Sequence, residues 1–522
     1  MLPEVDTTIF LLLLTIGFFY YVLRFHYNYW VRKKVPQIKP TFFVGNMGNL
    51  IRMKNSSAEF IRDLYNHPQA KTEAFVGIHL FYNPAILLRD PELIKMILIR
   101  DFSKFCNRYS NSDLNGDPIG SKNIFFLKNP AWKDVRLKLT PFFTSGRMKH
   151  MFYLVDEVGR SLNDYLLSQS LQENESKLNS FVLELKEFCA LYTTDVIATV
   201  AYGVQANTFK NPNGDFRRNG REVFRFSTKR ALEFTVLFFL PHLMPFFGFK
   251  VVPKKSTEFI RSTINFVMEQ RELSGKTRND LIDILIEYKN WSKAQNEKKE
   301  KSNVLFEGDI LVAQAAIFFT AGFETSSATM SFALYELSKR PLLQKRVRDE
   351  IRNALRESNG KVTQQLIDSL EYTQMVIYET LRLYPPLPFL DRECTIDAND
   401  TYTLDKITIK RGMPIYIPVY GLHMDPKFFP NPNTFDPERF SNENRKSIKS
   451  CTYLPFGQGP HACIGERFSM LQIKIGLVYF FLSHYVTTCS KTKSEMKLDP
   501  KAIILQAEGG IYLSVVRDPI NA

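Results

Sequence analysis

Phe456-Gly457-Gln458-Gly459-Pro460-His461-Ala462-Cys463-Ile464-Gly465 sets one cysteine at the end of a glycine-rich loop. An amphipathic run that predicts a helix follows directly. A helix start offers free backbone N–H groups and the positive end of a dipole. Both lower a thiol's pKa, and the thiolate is the species that binds metals. Gly459 and Gly465 remove side chains where the backbone has to approach something flat and bulky. A lone cysteine is more often a small buried hydrophobe. Cys463 as a metal ligand therefore rests on the full pattern Phe-x-x-Gly-x-x-x-Cys-x-Gly and on three motifs upstream of it.

The first is a long helical candidate, Glu307 to Lys339, ended by Pro341. Its centre is small and apolar on nearly every side, which predicts burial. Gln314 and Glu324 interrupt the run and argue against a membrane span. Ala321 and Thr325 are four apart and share a face. Ala321 and Gly322 leave room for a flat cofactor and a diatomic ligand. Glu324 and Thr325 form an acid–alcohol pair able to relay protons with water. Taken alone, Thr325 reads more simply as a hydroxyl bonded back to a helix carbonyl. The second motif is Glu379-Thr380-Leu381-Arg382, opposite charges three apart on one helical face. By itself that is a common surface pair. The third is Trp132-Lys133-Asp134-Val135-Arg136, in which Trp132 and Arg136 face one way and the guanidinium can grip a carboxylate.

In this order the motifs resemble those of the cytochrome P-450 family, the haem-thiolate monooxygenases, and the resemblance covers nearly the whole chain. It implies a mostly α fold with small peripheral β-sheets and a single large haem domain. It implies haem b with an axial thiolate from Cys463, a ligand that donates electron density and favours O–O cleavage. Phe456, Gly459, Gly465 and Ala321 would lie against the haem, and Trp132, Arg136 and Arg392 would serve its propionates. The family's usual arginine two residues before the cysteine is here His461, shorter and only partly charged at neutral pH. A weaker or pH-dependent haem affinity is expected there. Thr325 and Glu324 take the place of the oxygen-activation motif, which favours the relay over the simple helix bond. Glu379, Arg382 and Arg439 (within Pro437-Glu438-Arg439-Phe440) would lock the region behind the haem. The surroundings of Ser145-Gly146-Arg147-Met148 and the style of the N-terminus look most like insect microsomal members of the family-6 type.

Composition agrees. Within 522 residues there is no strong linker after residue 50, so one large domain is allowed where length alone would suggest about three. The net charge of +14 suits an anionic membrane surface or an acidic protein partner. No motif supports nucleic-acid binding. The six cysteines form no C-x-x-C pair and have long, irregular gaps, which argues against a structural zinc site or disulfide framework and fits a reducing compartment.

Thr7 to Leu23 is uncharged and at the short end of what spans a bilayer. Tyr20, Tyr21, Tyr27, Tyr29 and Trp30 extend it as an aromatic belt; Arg24, Arg32, Lys33 and Lys34 follow and hold that end in the cytosol. No small-residue cleavage site follows, so it reads as an uncleaved anchor rather than a signal peptide. The expected division is an anchor at 1–23, a basic, proline-containing hinge at 24–49, and a catalytic domain at 50–522. The endoplasmic reticulum membrane, with the body in the cytosol, is the implied location.

Strands are expected over Phe75–Leu88, with a turn at Asn83-Pro84. Others are expected from Cys394 to Pro418, turning at Lys410-Arg411-Gly412, and in a C-terminal hairpin around Gly509-Gly510. Residues 291–303 read as a solvated loop. Apolar stretches at Phe125-Phe126, Phe318-Phe319 and Leu387-Pro388-Phe389 predict a hydrophobic substrate, with core packing an equal alternative for each phenylalanine. The aromatic stretch 231–249 reads as a patch dipping into the bilayer. The resemblance implies insertion of one oxygen atom from O2, with electrons from NADPH through an acidic flavoprotein reductase and a b-type cytochrome as an optional second donor. Basic surface near Cys463, including Arg467, would receive that partner. A peroxide-rearranging haem-thiolate enzyme and a haem sensor are the rival readings, both disfavoured by an intact Glu324–Thr325 pair.

Overall fold

Helical apolar periodicity produces a mostly helical body. The computed structural model describes residues 7–172, 180–225, 227–297 and 306–520. Its principal helices are α1 (Thr7–Tyr27), α2 (Tyr29–Arg32), α3 (Ala131–Leu139), α4 (Ser145–Gln172), α5 (Leu185–Tyr202), α6 (Thr228–Phe239), α7 (Lys254–Ser274), α8 (Leu281–Glu297), α9 (Asp309–Ser338), α10 (Pro341–Glu357), α11 (Glu371–Leu383) and α12 (Glu466–Phe481). The strands are β1 (Phe75–Leu80), β2 (Asn83–Leu88), β3 (Ser180–Glu184), β4 (Leu390–Glu393), β5 (Tyr402–Leu404), β6 (Ile407–Ile409), β7 (Pro414–Ile417), β8 (His484–Thr487) and β9 (Tyr512–Arg517). They form three small sheets in the orders β1-β2-β7-β4, β3-β9-β8 and β5-β6.

The long helix α9 is the core element. It is buried along most of its length, which accounts for its apolarity without a membrane. It packs on α5, α11 and α12. Gly322 is the crossing point with α5: a Cβ there would lie 2.3 Å from Ile197 Cδ1. The small residue therefore serves helix packing as well as the space beside it. Pro341 opens α10 rather than merely ending α9.

Several local expectations change. The β1–β2 turn is Phe81-Tyr82, and Asn83 and Pro84 belong to β2, where Pro84 pairs with His79. Lys410-Arg411-Gly412 does not join a hairpin. β6 turns back on β5, whereas β7 goes to the larger sheet between β2 and β4. At the C-terminus, among the described residues, only Tyr512–Arg517 is a strand; it pairs with β3 and β8, not with residues 502–505. Residues 291–297 continue α8, and 298–305 lie outside the described residues. The run after Cys463 forms α12, which is buried nearly all round rather than amphipathic.

The N-terminal helix α1 runs to Tyr27, a turn beyond the expected boundary at residue 23, and its apolar side chains are exposed from Ile9 to Tyr21. The hinge is docked. Trp30 is fully buried, its Nε1 donates to Ile78 O at 3.1 Å, and its ring fills the space over Gly77, where a Cβ would meet Trp30 Cγ at 2.4 Å. Gly77 N donates to Pro36 O at 2.9 Å and Ile38 N to Gly77 O at 3.0 Å, so the segment after α2 rides on β1.

Candidate active site

The loop before α12 is folded by its own backbone. Cys463 N donates to Phe456 O at 2.8 Å and Ala462 N to Gly459 O at 2.9 Å. Gly459 has φ +74°, and a Cβ there would fall 2.0 Å from Leu98 O. It is glycine because of that carbonyl, and it does not line the cavity described next, contrary to the expectation of a cofactor contact. Gly459→Ala is expected to lower both melting temperature and haem content, at a cost of about 1–3 kcal/mol from the strained φ alone. Differential scanning calorimetry and a haem assay on the variant check it.

Cys463 faces a cavity of about 1480 Å³, measured out to its solvent mouth. Phe456, Gly465, Ala321, Thr325, Trp132, Arg136, Arg392 and His461 all line it, so eight further predicted residues from four chain segments converge on the cysteine. The remaining walls are mostly apolar, including Phe125, Phe142, Phe143, Ile317, Phe318 and Leu387. Burial pushes the Cys463 thiol up, against the Gly465 N–H and the Arg136 and Arg108 charges. The helix start thus acts in the expected direction, but desolvation outweighs it. Coordination to a metal cation is what deprotonates such a thiol.

The polar rim is one-sided. Arg392, on β4, is 1% exposed; its Nη1 donates to Asp391 O at 2.7 Å and its Nε has no partner among the described residues. Burial, and next the Arg108 charge, lower its pKa to about 9. Arg108 Nε is likewise buried without a partner. Burial also lowers Arg108 and Arg136. Asp391 acts on Arg108 and Arg392 through space, but its own Oδ2 accepts Ser110 N at 2.7 Å. Buried guanidinium groups without carboxylate partners are costly. Cations at one edge of an apolar slot, with a thiol on its floor, fit a flat, apolar, dianionic metallocycle. Arg108 was not foreseen, because nothing in its spacing to Trp132 or Cys463 marks it.

His461 differs from expectation. Its ring lies 3.9 Å from that of Trp132, centroid to centroid, and its Nε2 bonds Cys106 O at 2.8 Å. Burial and the Arg108 and Arg392 charges lower its pKa to about 2. Its ring is uncharged at neutral pH and packs on Trp132, while Arg108 lines the same cavity.

Glu324 and Thr325 fall on different faces of α9. Thr325 lines the cavity, with its hydroxyl donating to Ala321 O at 2.8 Å. The Glu324 carboxylate is 3% exposed and points into a separate polar cavity, where it meets Lys186 Nζ at 3.1 Å and Gln506 Nε2 at 2.9 Å. Adjacent residues on a helix diverge by roughly 100°, so the pair does not touch.

Behind the loop, Glu379 and Arg382 are fully buried and joined bidentately at 2.7 and 2.8 Å. Asp436 N adds a bond to Glu379 at 2.9 Å, and Arg439 Nε approaches to 3.4 Å. Arg382 also donates to His423 O at 2.9 Å and Thr434 O at 3.2 Å. His423, unmarked in the sequence, completes the link. Leu454 N donates to its Nε2 at 2.9 Å, which leaves Nδ1–H to donate to Arg382 O at 3.1 Å. Burial, then the Arg382 charge, lower the His423 pKa to about 3, keeping it in that neutral form.

A sequence profile described as Cytochrome P450 matches residues 35–515. This chain belongs to the cytochrome P-450 family. Its relatives include "Probable cytochrome P450 6g2" of Drosophila melanogaster, 58% identical over 97% of this chain and 98% of that one. "Cytochrome P450 6k1" of Blattella germanica is 42% identical over 97% and 95%. "Probable cytochrome P450 6v1" of Drosophila melanogaster is 39% identical over 98% and 99%. As a cytochrome P-450 the chain takes a cysteine-ligated haem b, which the donor set above accommodates. The three apolar stretches marked in the sequence divide between the cavity and the core. Phe125, Phe318 and Leu387 face the cavity, while Phe126, Phe319 and Phe389 pack into the core. In the same way the aromatic stretch 231–249 is mostly core; its exposed rings are Phe246 at 81% and Phe247 at 51%.

Proposed function

We propose that this chain is a membrane-anchored haem-thiolate monooxygenase that inserts one oxygen atom from O2 into a hydrophobic small molecule. Cys463 would supply the thiolate ligand, and Arg108, Arg136, Trp132 and Arg392 would hold the propionates. The observation that carries the reading is the convergence of one thiol, one hydroxyl and buried arginines lacking carboxylate partners on a single apolar cavity. When bound, haem supplies the redox chemistry that splits O2 and transfers one of its atoms. The protein's part is to place an apolar substrate against Phe125, Phe318 and Leu387, to exclude water, and to deliver protons. Thr325 offers the hydroxyl at the cavity. Glu324 faces the other cavity, held by Lys186 Nζ and Gln506 Nε2, so Thr325 is the relay's group at the site.

Electrons come from NADPH through an acidic flavoprotein reductase, with a b-type cytochrome as an optional second donor. Arg467 and Arg445 are exposed beside Glu466, on the side of the cysteine loop that such a partner would approach. Purified protein with reductase and an apolar test substrate should consume NADPH and release an oxygenated product. A product formed without NADPH, or NADPH-independent haem binding alone, would leave the peroxide-rearranging or sensor reading standing.

Thr325→Ala should cut product formed per NADPH consumed by about tenfold or more, since positioned proton transfer contributes on the order of 10²–10⁴. Hydrogen peroxide release, measured beside product, is the check; unchanged coupling would remove Thr325 from the relay. The α1 helix anchors the protein in the endoplasmic reticulum membrane with its basic end in the cytosol. The sequons at Asn55, Asn174, Asn290 and Asn399 should then carry no glycan in protein expressed in insect cells. A mass shift removed by glycosidase would reverse that topology.

A further inference from the structure

Gln314 is the only amide side chain in α9, and it is fully buried. It does not line the cavity that Cys463 faces. A buried amide is costly unless its hydrogen bonds are made, and a leucine would fill that packing position without the cost. The amide is aimed at a neighbouring segment of chain. Its Oε1 accepts Ile124 N at 2.9 Å, and its Nε2 donates to Lys122 O at 2.8 Å and to Ile310 O of its own helix at 2.9 Å. The segment it grips is otherwise closed on itself. Asp117 caps the short helix Pro118–Ser121 by accepting Gly120 N at 3.1 Å. Asn123 Nδ2 donates to Gly120 O at 2.8 Å, and its Oδ1 accepts Phe125 N at 3.0 Å. Such a segment moves as one piece. Among the described residues, the Gln314 amide makes the hydrogen bonds that join it to α9. Ile124 and Phe125 then line the cavity together with Ile317 and Phe318, about one turn along α9 from Gln314. The Phe125 ring also covers Arg108, whose guanidinium carbon lies 4.0 Å from the ring centroid.

We infer that Gln314 is a positioning residue for the oxygenation: by holding Lys122 and Ile124 it sets where Phe125 stands at the cavity, and so which carbon of an apolar substrate is presented. This rests on the reading of the chain as a monooxygenase. Apolar contacts by themselves discriminate weakly between neighbouring carbons, so the placement of the wall decides more than its chemistry. A displacement of about 1 Å caused by a change away from the reacting atoms can cost on the order of 10²-fold. Phe318 is placed by α9 itself. Phe125 is carried by a separate segment, whose register on that helix the two Gln314 bonds set. Leucine at position 314 would fill the volume but leave Ile124 N and Lys122 O without partners in a dry interface. The segment would then shift until water reached them, taking Phe125 with it.

The test uses the full-length holoprotein with reductase, NADPH and propylbenzene, whose benzylic and terminal alcohols are separable. Gln314→Leu and Phe125→Ala are made singly and together. Gln314→Leu should keep the parent's haem content, raise deuterium uptake in the peptide spanning residues 117–127, lower kcat/KM about tenfold and shift the alcohol ratio severalfold. With Phe125→Ala already present, the same substitution should leave the ratio where Phe125→Ala alone sets it, because the ring it positions is gone. Gln314→Glu, held neutral by burial, can accept Ile124 N and donate to Lys122 O, so its ratio should return toward the parent's. Gln314→Met, of similar length and without a donor, takes the place of leucine if that variant does not hold haem. Unchanged uptake, an unchanged ratio, or an equal shift with and without Phe125 would overturn the inference. A glutamate variant no closer to the parent than leucine would assign the effect to packing and contradict it. A parent that releases no NADPH-dependent alcohol would sink the monooxygenase reading and the specificity role with it, while the uptake measurement would still report whether Gln314 holds the segment.

Discussion

Glu379→Ala yields a chain that is expressed but holds little or no haem. The glutamate touches no part of the cavity, so the effect travels through structure. Its carboxylate takes two N–H groups from Arg382 and one from Asp436, and faces Arg439. Removing it leaves the Arg382 guanidinium fully buried with only carbonyl partners, a loss of about 3–5 kcal/mol for a broken buried ion pair. Arg382 is also the residue whose carbonyl orients His423, and His423 holds Leu454 N at the start of the cysteine loop. The loop that presents Cys463 therefore loses its backing in the same step. Glu379→Gln keeps acceptor and shape but not charge and should retain an intermediate haem content. Haem per chain, with circular dichroism to confirm helix content, reads both variants. Full haem occupancy in Glu379→Ala would show that the network is dispensable for the site.

How much of this was legible beforehand follows from what each residue's signal was. Cys463, Thr325, Trp132, Arg136 and the Glu379–Arg382 pair sit in motifs with fixed local spacing, and local spacing survives into three dimensions. The long helix was legible because a run apolar on all sides has few folded fates. Glu324 was harder. Its sequence neighbour faces the cavity, but helical geometry turns adjacent side chains apart, and its partners Lys186 and Gln506 are remote in sequence. Arg108 and His423 could not be found at all, since each is functional only through tertiary contacts. Gly459 was foreseen for the wrong reason: the need for glycine is real, but the neighbour is the Leu98 carbonyl. Strand pairing failed where strands near in sequence join different sheets, as β6 and β7 do, because a turn signal says nothing about which edge is free. Phe318 and Phe319 split between cavity and core because adjacent positions on one helix face different ways.

Cys463→Ser is the second large effect. A serine hydroxyl stays neutral at physiological pH and offers the iron neither charge nor polarisable sulfur, so both affinity and the electron donation that favours O–O cleavage are lost. The neighbouring cavity walls, Phe456, Ala462 and Gly465, are untouched, and the side chain is nearly the same size, so folding should persist. The decisive measurement is the absorption spectrum of the reduced, carbon-monoxide-bound protein, taken with haem content, for the parent and Cys463→Ser side by side. The parent should show the long-wavelength band of a haem-thiolate, and the variant should lack both that band and turnover. A serine variant that carries haem with the parent's spectrum would mean that the iron is held by some other atom.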